Sequence, residues 1–269
     1  MKIGAMYNCH GETEYLGYSL RSVAPFVDRI IITRSRDRHY AKMGIAAQGD
    51  FEVASRTITD LARMQFQDLG DVNDLTLTRN HNLDLLRDMD WIIQVDADEV
   101  YREEDMLILV DLLSKTDKDM IHLYFYQVVS QFDRRLQRTP HVERVYRNIP
   151  GMKFVLKHNV MSYPDGRTME SVSEKMETPD IHFFHYGWVG TIGKLARKLV
   201  RHQMQLRDMG EGDGDVYDEA LKVLHNQMRD DYLATDTIPI SLSEHPAVMR
   251  DHPWFGKPWK EILFNFAKM

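Results

Sequence analysis

The stretch DWIIQVDADEVY, Asp90 to Tyr101, ends an apolar run in two carboxylates separated by one alanine, with a third acid directly after them. A strand buries the apolar run well, but Asp96, Asp98 and Glu99 cannot follow it into an apolar interior without partners. The carboxylates must therefore emerge at a strand end. In an open α/β sheet that end is where ligands sit. Residues two apart start on one side of the pleat, and a turn can aim Asp96 and Asp98 at one point. Carboxylate oxygens so arranged suit Mg2+ or Mn2+, which commonly also bind substrate phosphates. The duller reading has Asp98 capping the helix that follows, with Asp96 and Glu99 merely solvated. A place after a buried strand, midway through alternating strands and helices, favours the metal.

The elements that would position these acids follow from periodicity. KIGAMYN reads as a short buried strand, and Leu16, Leu20, Val23 and Val27 then fall at helical spacing. DRIIIT is a second strand, rich in β-branched residues. Ile58, Leu61, Ala62, Gln65, Phe66 and Leu69 outline a helix that stops near Gly70. Leu83, Leu85 and Leu86 lie on another, which leads into WIIQV. EEDMLILVDLLSK reads as an amphipathic helix, and MIHLYFYQVV, ERVYRN and MKFVLKHNVMSY as strands. Strand alternating with helix argues for a largely parallel sheet, because parallel neighbours need crossover connections. After DIHFFHYGWVG, a helix over 191–209 turns Ile192, Leu195, Leu199 and Leu206 inward and leaves Lys194, Arg197, Lys198 and Arg201 as a basic side. A further helix is expected over 216–228. The tail from Ser243, with Trp254 and Trp259, reads as a wrap across the main domain.

Bulk properties bound the function. The chain has 269 residues, 34 Lys and Arg against 41 Asp and Glu, a net charge of −7, and a single cysteine. That length suits one large α/β domain with an appendage. The acidity argues against bulk binding to nucleic acid or anionic membrane, and one cysteine excludes an internal disulfide framework. No apolar run reaches membrane-spanning length, and MKIGAMYNCHGE lacks the pattern of a cleavable signal. A cytoplasmic location is expected.

The motifs together resemble a family 2-type glycosyltransferase of the GT-A fold, the nucleotide-sugar-dependent class. MYNCHGETEYLGYSLRSVAPFVDRIIIT resembles that family's opening, TRNHNLDLLRDMDWIIQVDADEV its arginine-asparagine helix and D-x-D strand. RVYRNIPGMKFVLKHNV resembles a later arginine-rich strand and glycine turn. IHFFHYGWVGTIGKLARKLVRH resembles the closing histidine-tyrosine-glycine element with its basic helix. The resemblance covers residues 1–205, in order. It implies a GT-A (Rossmann-like) α/β fold, with a mostly parallel central sheet flanked by helices over 1–190. A helical C-terminal extension over 191–269 would shape the acceptor side. It further implies Asn8 and Glu12 near the nucleoside, Arg79 and Asn80 near the ribose and diphosphate, and Asp96 at the ribose or a metal-bound water. Asp98 would ligate Mn2+ or Mg2+, with His185 completing the site, and Lys194, Arg197 and Arg201 would neutralise the departing diphosphate. The donor implied is a nucleotide sugar, a UDP-sugar foremost, and the acceptor a hydroxyl on a glycan or lipid; a modified nucleic-acid base is less favoured.

Departures from the pattern bear on specificity and mechanism. The second strand ends in IITRSRDRH, with Arg34 or Asp37 where the family keeps a base-holding acid, and the family's His-Glu pair appears as His158-Asn159. Glu143, His158, Glu170 and Glu174 are all open as the general base. Each site residue also has a structural reading. His182 and His185 can be hydrogen-bonded core imidazoles, the basic helix a solvated face, Trp254, Phe255 and Trp259 core cover, and Cys9 a buried thiol. Two rival functions share the scaffold: a nucleotidyl- or phosphotransferase, and a non-catalytic nucleotide- or carbohydrate-binding protein.

Overall fold

The computed structural model describes residues 1–9, 13–37, 42–43, 50–72, 75–155, 160–168, 175–208, 215–216, 218–220, 222 and 236–263. Glu12, His158, Glu170 and Glu174 lie outside the described residues, as does most of the helix expected over 216–228. The chain falls into two compact units, Met1–Phe125 with Pro140–Phe184, and Tyr126–Thr139 with His185–Met269. The sequence division at 190/191 thus differs from the observed one. The second unit begins at His185 and takes in Tyr126–Thr139, because that segment pairs with a strand near the C-terminus.

In the first unit, β1 (Ile3–Cys9), α1 (Leu16–Val23), β2 (Arg29–Asp37), α2 (Asp50–Thr57), β3 (Met64–Val72), α3 (Leu75–Leu85) and β4 (Trp91–Asp96) alternate. Then come β5 (Glu99–Tyr101), α4 (Glu103–Leu113) and β6 (Met120–Val129), which passes into the second unit at Tyr126. β7 (Arg134–Leu136) belongs to the second unit, and β8 (His141–Arg147), β9 (Lys153–Val155), β10 (Val160–Ser162) and β11 (Lys175–Trp188) follow. The sheet order is β6-β8-β4-β1-β2-β3. β3, β2, β1 and β4 run parallel, and β8 is antiparallel to both β4 and β6. The fold is therefore α/β, with a mostly parallel central sheet flanked by helices.

Alternation along the strands sorts the core into two layers. Ile3, Ala5, Tyr7, Ile30, Ile32, Trp91, Ile93 and Val95 face α1 and α4. Met6, Ile31 and Ile92 face Leu83, Leu86 and Met89, with Tyr146 and Phe154 alongside. The end of α3 approaches β1 so closely that a Cβ on Gly4 would stand 2.8 Å from Leu86 Cδ2. Toward the carboxyl ends of the strands this second layer changes character. Met6 gives way to Asn8, Ile31 to Thr33, Ile92 to Gln94 and Asp96, and Leu83 to Arg79 and Asn82.

Two sequence expectations are corrected here. The helix read from Ile58 to Leu69 is instead α2, ending at Thr57, followed by the strand β3. Its apolar spacing also permits a strand, and the edge of β2 decides the matter. Backbone pairing from Ile30↔Met64 to Asp37↔Val72 and the ion pairs Arg34–Asp68 and Arg36–Asp71 fix β3 against it. The capping reading of Asp98 also fails, because β5 intervenes and α4 starts at Glu103 with Arg102 at its N-cap.

In the second unit, β7 pairs antiparallel with β12 (Thr237–Pro239). α5 (Ile192–Asp208) is the expected basic helix, and α6 (Trp259–Leu263) lies near the C-terminus. Phe132 packs against Tyr186, His245, His252 and Phe255, and Tyr186 Oη lies 2.7 Å from His245 Nδ1. The Trp259 N–H donates to Gln131 Oε1 at 3.0 Å. The tail thus covers core within its own unit.

Candidate active site

The acids that close β4 are organised by an arginine from β8. Arg144 Nη2 donates to Asp96 Oδ2 at 2.8 Å and to Glu99 Oε1 at 2.5 Å, and its Nε donates to both Glu99 oxygens at 3.0 and 3.1 Å. Glu99 is 1% exposed and also accepts the Asp96 N–H at 3.2 Å. Burial alone would lower the Arg144 pKa. Glu99 and then Asp96 more than offset it, so the guanidinium is held charged well above its ordinary range. A local irregularity puts Arg144 there. β6 and β8 pair as Ile121↔Val145 and then His122↔Glu143, so Arg144 is the extra residue of a β-bulge. Bulges re-aim a side chain in this way beside functional sites.

A second guanidinium lies beneath α3. Arg79 is 7% exposed. With its amide oxygen turned toward them, Gln94 accepts from Arg79 Nη2 and Arg144 Nη1, both at 3.1 Å. Arg79 Nε and Nη1 are buried and find no partner among the described residues. Burial pulls its pKa down, with Asp96 acting in the opposite sense. Asn8, opposite both Asp96 and Thr33 in the sheet, is fixed by a directed chain. Thr33 Oγ1 donates to Asn82 Oδ1, and Asn82 Nδ2 donates to Asn8 Oδ1 at 2.8 Å. Asn8 Nδ2 and Thr78 Oγ1 are likewise buried without partners among the described residues. Native proteins rarely leave so many buried donors unmet without a functional reason.

The structure treats the other expected residues differently. Asn80 is not turned toward the strand ends. Its Nδ2 donates to the Phe154 carbonyl at 2.9 Å and its Oδ1 accepts the Phe154 N–H at 2.7 Å, so it ties α3 to β9. Asn82, one position pair further on, is the asparagine that reaches Asn8. Glu143 sits on β8 with its Oε1 3.6 Å from His122 Nε2. His185 belongs to the second unit, where its Nδ1 lies 2.7 Å from Gln127 Oε1. An amide oxygen only accepts, so His185 Nδ1 is the donor of this pair. Lys194 is 6% exposed, and its Nζ donates to the Val189 carbonyl at 3.2 Å, an interior contact rather than a solvated one. Arg197 and Arg201 are half-buried on α5. Cys9 is a buried thiol.

The donor set can be tested against a divalent ion. Glu99 is turned inward to Arg144, and no group of three or more His, Cys, Asp or Glu able to hold a metal occurs among the described residues. Half-buried Asp96 and Asp98 remain at the strand end. Two carboxylates do not make an all-protein cage. They do fit Mg2+ or Mn2+, which keep waters and take substrate phosphates as further ligands.

No family model and no curated protein matches the sequence. Solved structures resembling the chain include S. aureus TarS residues 1–349. It is 11% identical, covers 84% of this chain and 71% of that one, and has a TM-score of 0.49. The same protein in complex with UDP-GlcNAc aligns at 9% identity over 84% and 72%, with a TM-score of 0.47. Glucosyl-3-phosphoglycerate synthase from Mycobacterium tuberculosis, in complex with Mg2+ and UDP, aligns at 12% identity over 46% and 43%, with a TM-score of 0.35. Likeness this loose does not carry a function from one chain to another. Among the described residues, no helix is long and apolar enough to cross a membrane.

Proposed function

We propose that the protein is a glycosyltransferase of the GT-A type. It transfers a sugar, with inversion, from a nucleotide-sugar donor, a UDP-sugar foremost, to an acceptor hydroxyl. The observation that carries this reading is the buried polar layer at the carboxyl ends of β1 and β4. There, unmet donors on Arg79, Asn8 and Thr78 lie in the same layer as the strand-end carboxylate Asp96. The parallel sheet supports it as well, since ligands of such sheets sit at those ends.

In this reading Arg79 donates to diphosphate oxygens, and Asn8 and Thr78 hold the nucleoside. Arg144 clamps Asp96 and Glu99 so that the strand end keeps one geometry. Three carboxylates against two guanidinium groups leave the site net negative, which by itself opposes a diphosphate. A divalent ion held by Asp98 and Asp96 would reverse that sign and, as a Lewis acid, steady the charge that develops on the leaving diphosphate. Arg79 would share that task through its fixed N–H groups.

The test is to incubate the protein with a panel of UDP-sugars and Mn2+ and to identify the small-molecule products. Free UDP, with the sugar on water or an added acceptor, is expected. Release of pyrophosphate from nucleoside triphosphates would assign a nucleotidyltransferase instead. Tight nucleotide binding without any product would leave a binding protein.

A further inference from the structure

Next to the bulge, β6 and β8 assemble a second polar group that the donor site does not use. His122 pairs with Glu143 across the two strands, and Tyr124 pairs with His141. His122 is 3% exposed, Glu143 half-buried and His141 exposed. His122 Nδ1 lies 2.9 Å from His141 Nδ1, and His122 Nε2 lies 3.6 Å from Glu143 Oε1. The His141 ring also stands 5.5 Å from that of Tyr124, which is 6.1 Å from His182, all within the first unit.

The 2.9 Å ring contact and the carboxylate 3.6 Å from His122 Nε2, too long for a hydrogen bond, together favour one arrangement of the protons. Two imidazole nitrogens at hydrogen-bond distance share one proton. A carboxylate beside Nε2 of a buried ring favours the tautomer protonated on that nitrogen. His122 Nδ1 is then an acceptor, so His141 Nδ1 must donate. The lone pair of His141 is thereby left on Nε2, at the exposed end of the chain.

We propose that Glu143, His122 and His141 form a proton relay in which His141 Nε2 is the general base for the acceptor hydroxyl. The proposal rests on the glycosyl-transfer reading. As the acceptor oxygen bonds to the anomeric carbon, His141 Nε2 takes the hydroxyl proton. The bond from that carbon to the diphosphate oxygen breaks, and its electron pair leaves with the nucleoside diphosphate. The imidazolium that forms is shared through His122 and balanced by Glu143, then returns its proton to water. His122 and Glu143 are positioning residues. Glu143 immediately precedes the bulged Arg144 on β8, whose guanidinium binds Asp96. The charged and titratable neighbours of the relay include Arg144 on β8, Tyr146 on β8, whose Oη donates to the Glu143 carbonyl at 3.2 Å, Tyr124 on β6, and His182 on β11, whose N–H donates to Asp105 on α4.

The experiment measures UDP release from UDP-sugars, with water as acceptor, across pH, beside UDP binding by calorimetry. His141→Asn should lower kcat by about 10²–10³-fold, with the UDP dissociation constant unchanged within about two-fold. Imidazole should partly restore a His141→Gly variant. Glu143→Gln should lower kcat, leave the UDP dissociation constant unchanged within about two-fold and change the His122 tautomer in 15N spectra, since the amide no longer favours a proton on Nε2. In 15N spectra of the resting protein, His122 should be the Nε2–H tautomer and His141 the Nδ1–H tautomer. A His141→Asn enzyme that turns over like wild type, or an opposite tautomer assignment, overturns the relay alone. Wild-type protein that neither binds UDP nor releases it from any UDP-sugar overturns the glycosyl-transfer reading beneath it.

Discussion

Arg144→Met is the substitution whose consequence the structure specifies most closely. It removes the guanidinium bonds to Glu99 at 2.5, 3.0 and 3.1 Å and the one to Asp96 at 2.8 Å. Asp96 is open enough to turn to water and loses little. Glu99, at 2% side-chain exposure, cannot do so and is left as a buried carboxylate without its counter-charge. Breaking one side of such a pair costs about 3–5 kcal/mol, whereas neutralising both sides with groups of similar volume is often close to neutral. Arg144→Met should therefore destabilise by about 3–5 kcal/mol. Adding Glu99→Gln should recover about 2 kcal/mol or more of it, within the coupling range of residues in direct contact. Urea titration followed by circular dichroism reads both values. A single variant costing under about 1 kcal/mol, or a double variant whose effects simply add, would refute the claim that this network is what holds the strand end.

Arg79→Met should leave the urea midpoint unchanged or raised, since it removes donors that are unmet in the fold, yet weaken UDP binding in calorimetry by about ten-fold or more. A parallel loss of stability would show that Arg79 is structural. Asn82→Asp should weaken UDP binding because a carboxylate there compels Asn8 to present its oxygen instead of its N–H. Unchanged affinity would break the link between the Thr33–Asn82–Asn8 chain and the ligand. Burial pushes the His245 pKa from its ordinary value down to about 4 and that of His252 to about 3. The unfolded chain then binds more protons below about pH 6.5, so stability is full above that pH and falls as pH drops toward 4. The loss should be roughly 2 kcal/mol per histidine between pH 6.5 and 5. Identical urea midpoints at pH 7 and pH 5 would contradict the neutral burial of these rings.

The parallel sheet and the acids at the end of β4 were legible because both follow from local pattern: β-branched runs, alternation with helices, and carboxylates that an interior cannot take. The strand β3 was not, because its apolar residues also fit a helical spacing and only the edge of β2 selects the strand. Arg144 was invisible as a partner of Asp96, 48 residues away in sequence. A bulge, which no periodicity announces, is what aims it. Asn82 could have been found. Carrying the apolar stripe of Leu83 and Leu86 back one turn along α3 passes through Asn82 and Arg79 and misses Asn80, whose amide ties β9 instead. His122, His141 and Glu143 are brought together by β6–β8 pairing across a register shift. His122 lies inside the run MIHLYFYQVV and His141 just before ERVYRN, and no local spacing joins residues 19 apart.

The central claim is that Asp96 and Asp98 hold a divalent ion on which a nucleoside diphosphate docks beside Arg79. Titration calorimetry of UDP into wild-type and Asp98→Ala protein, each with and without Mn2+, tests it directly. The account predicts tight binding to wild type only with Mn2+ and at least a ten-fold loss in Asp98→Ala with the metal present. Equal affinity in all four titrations would contradict it.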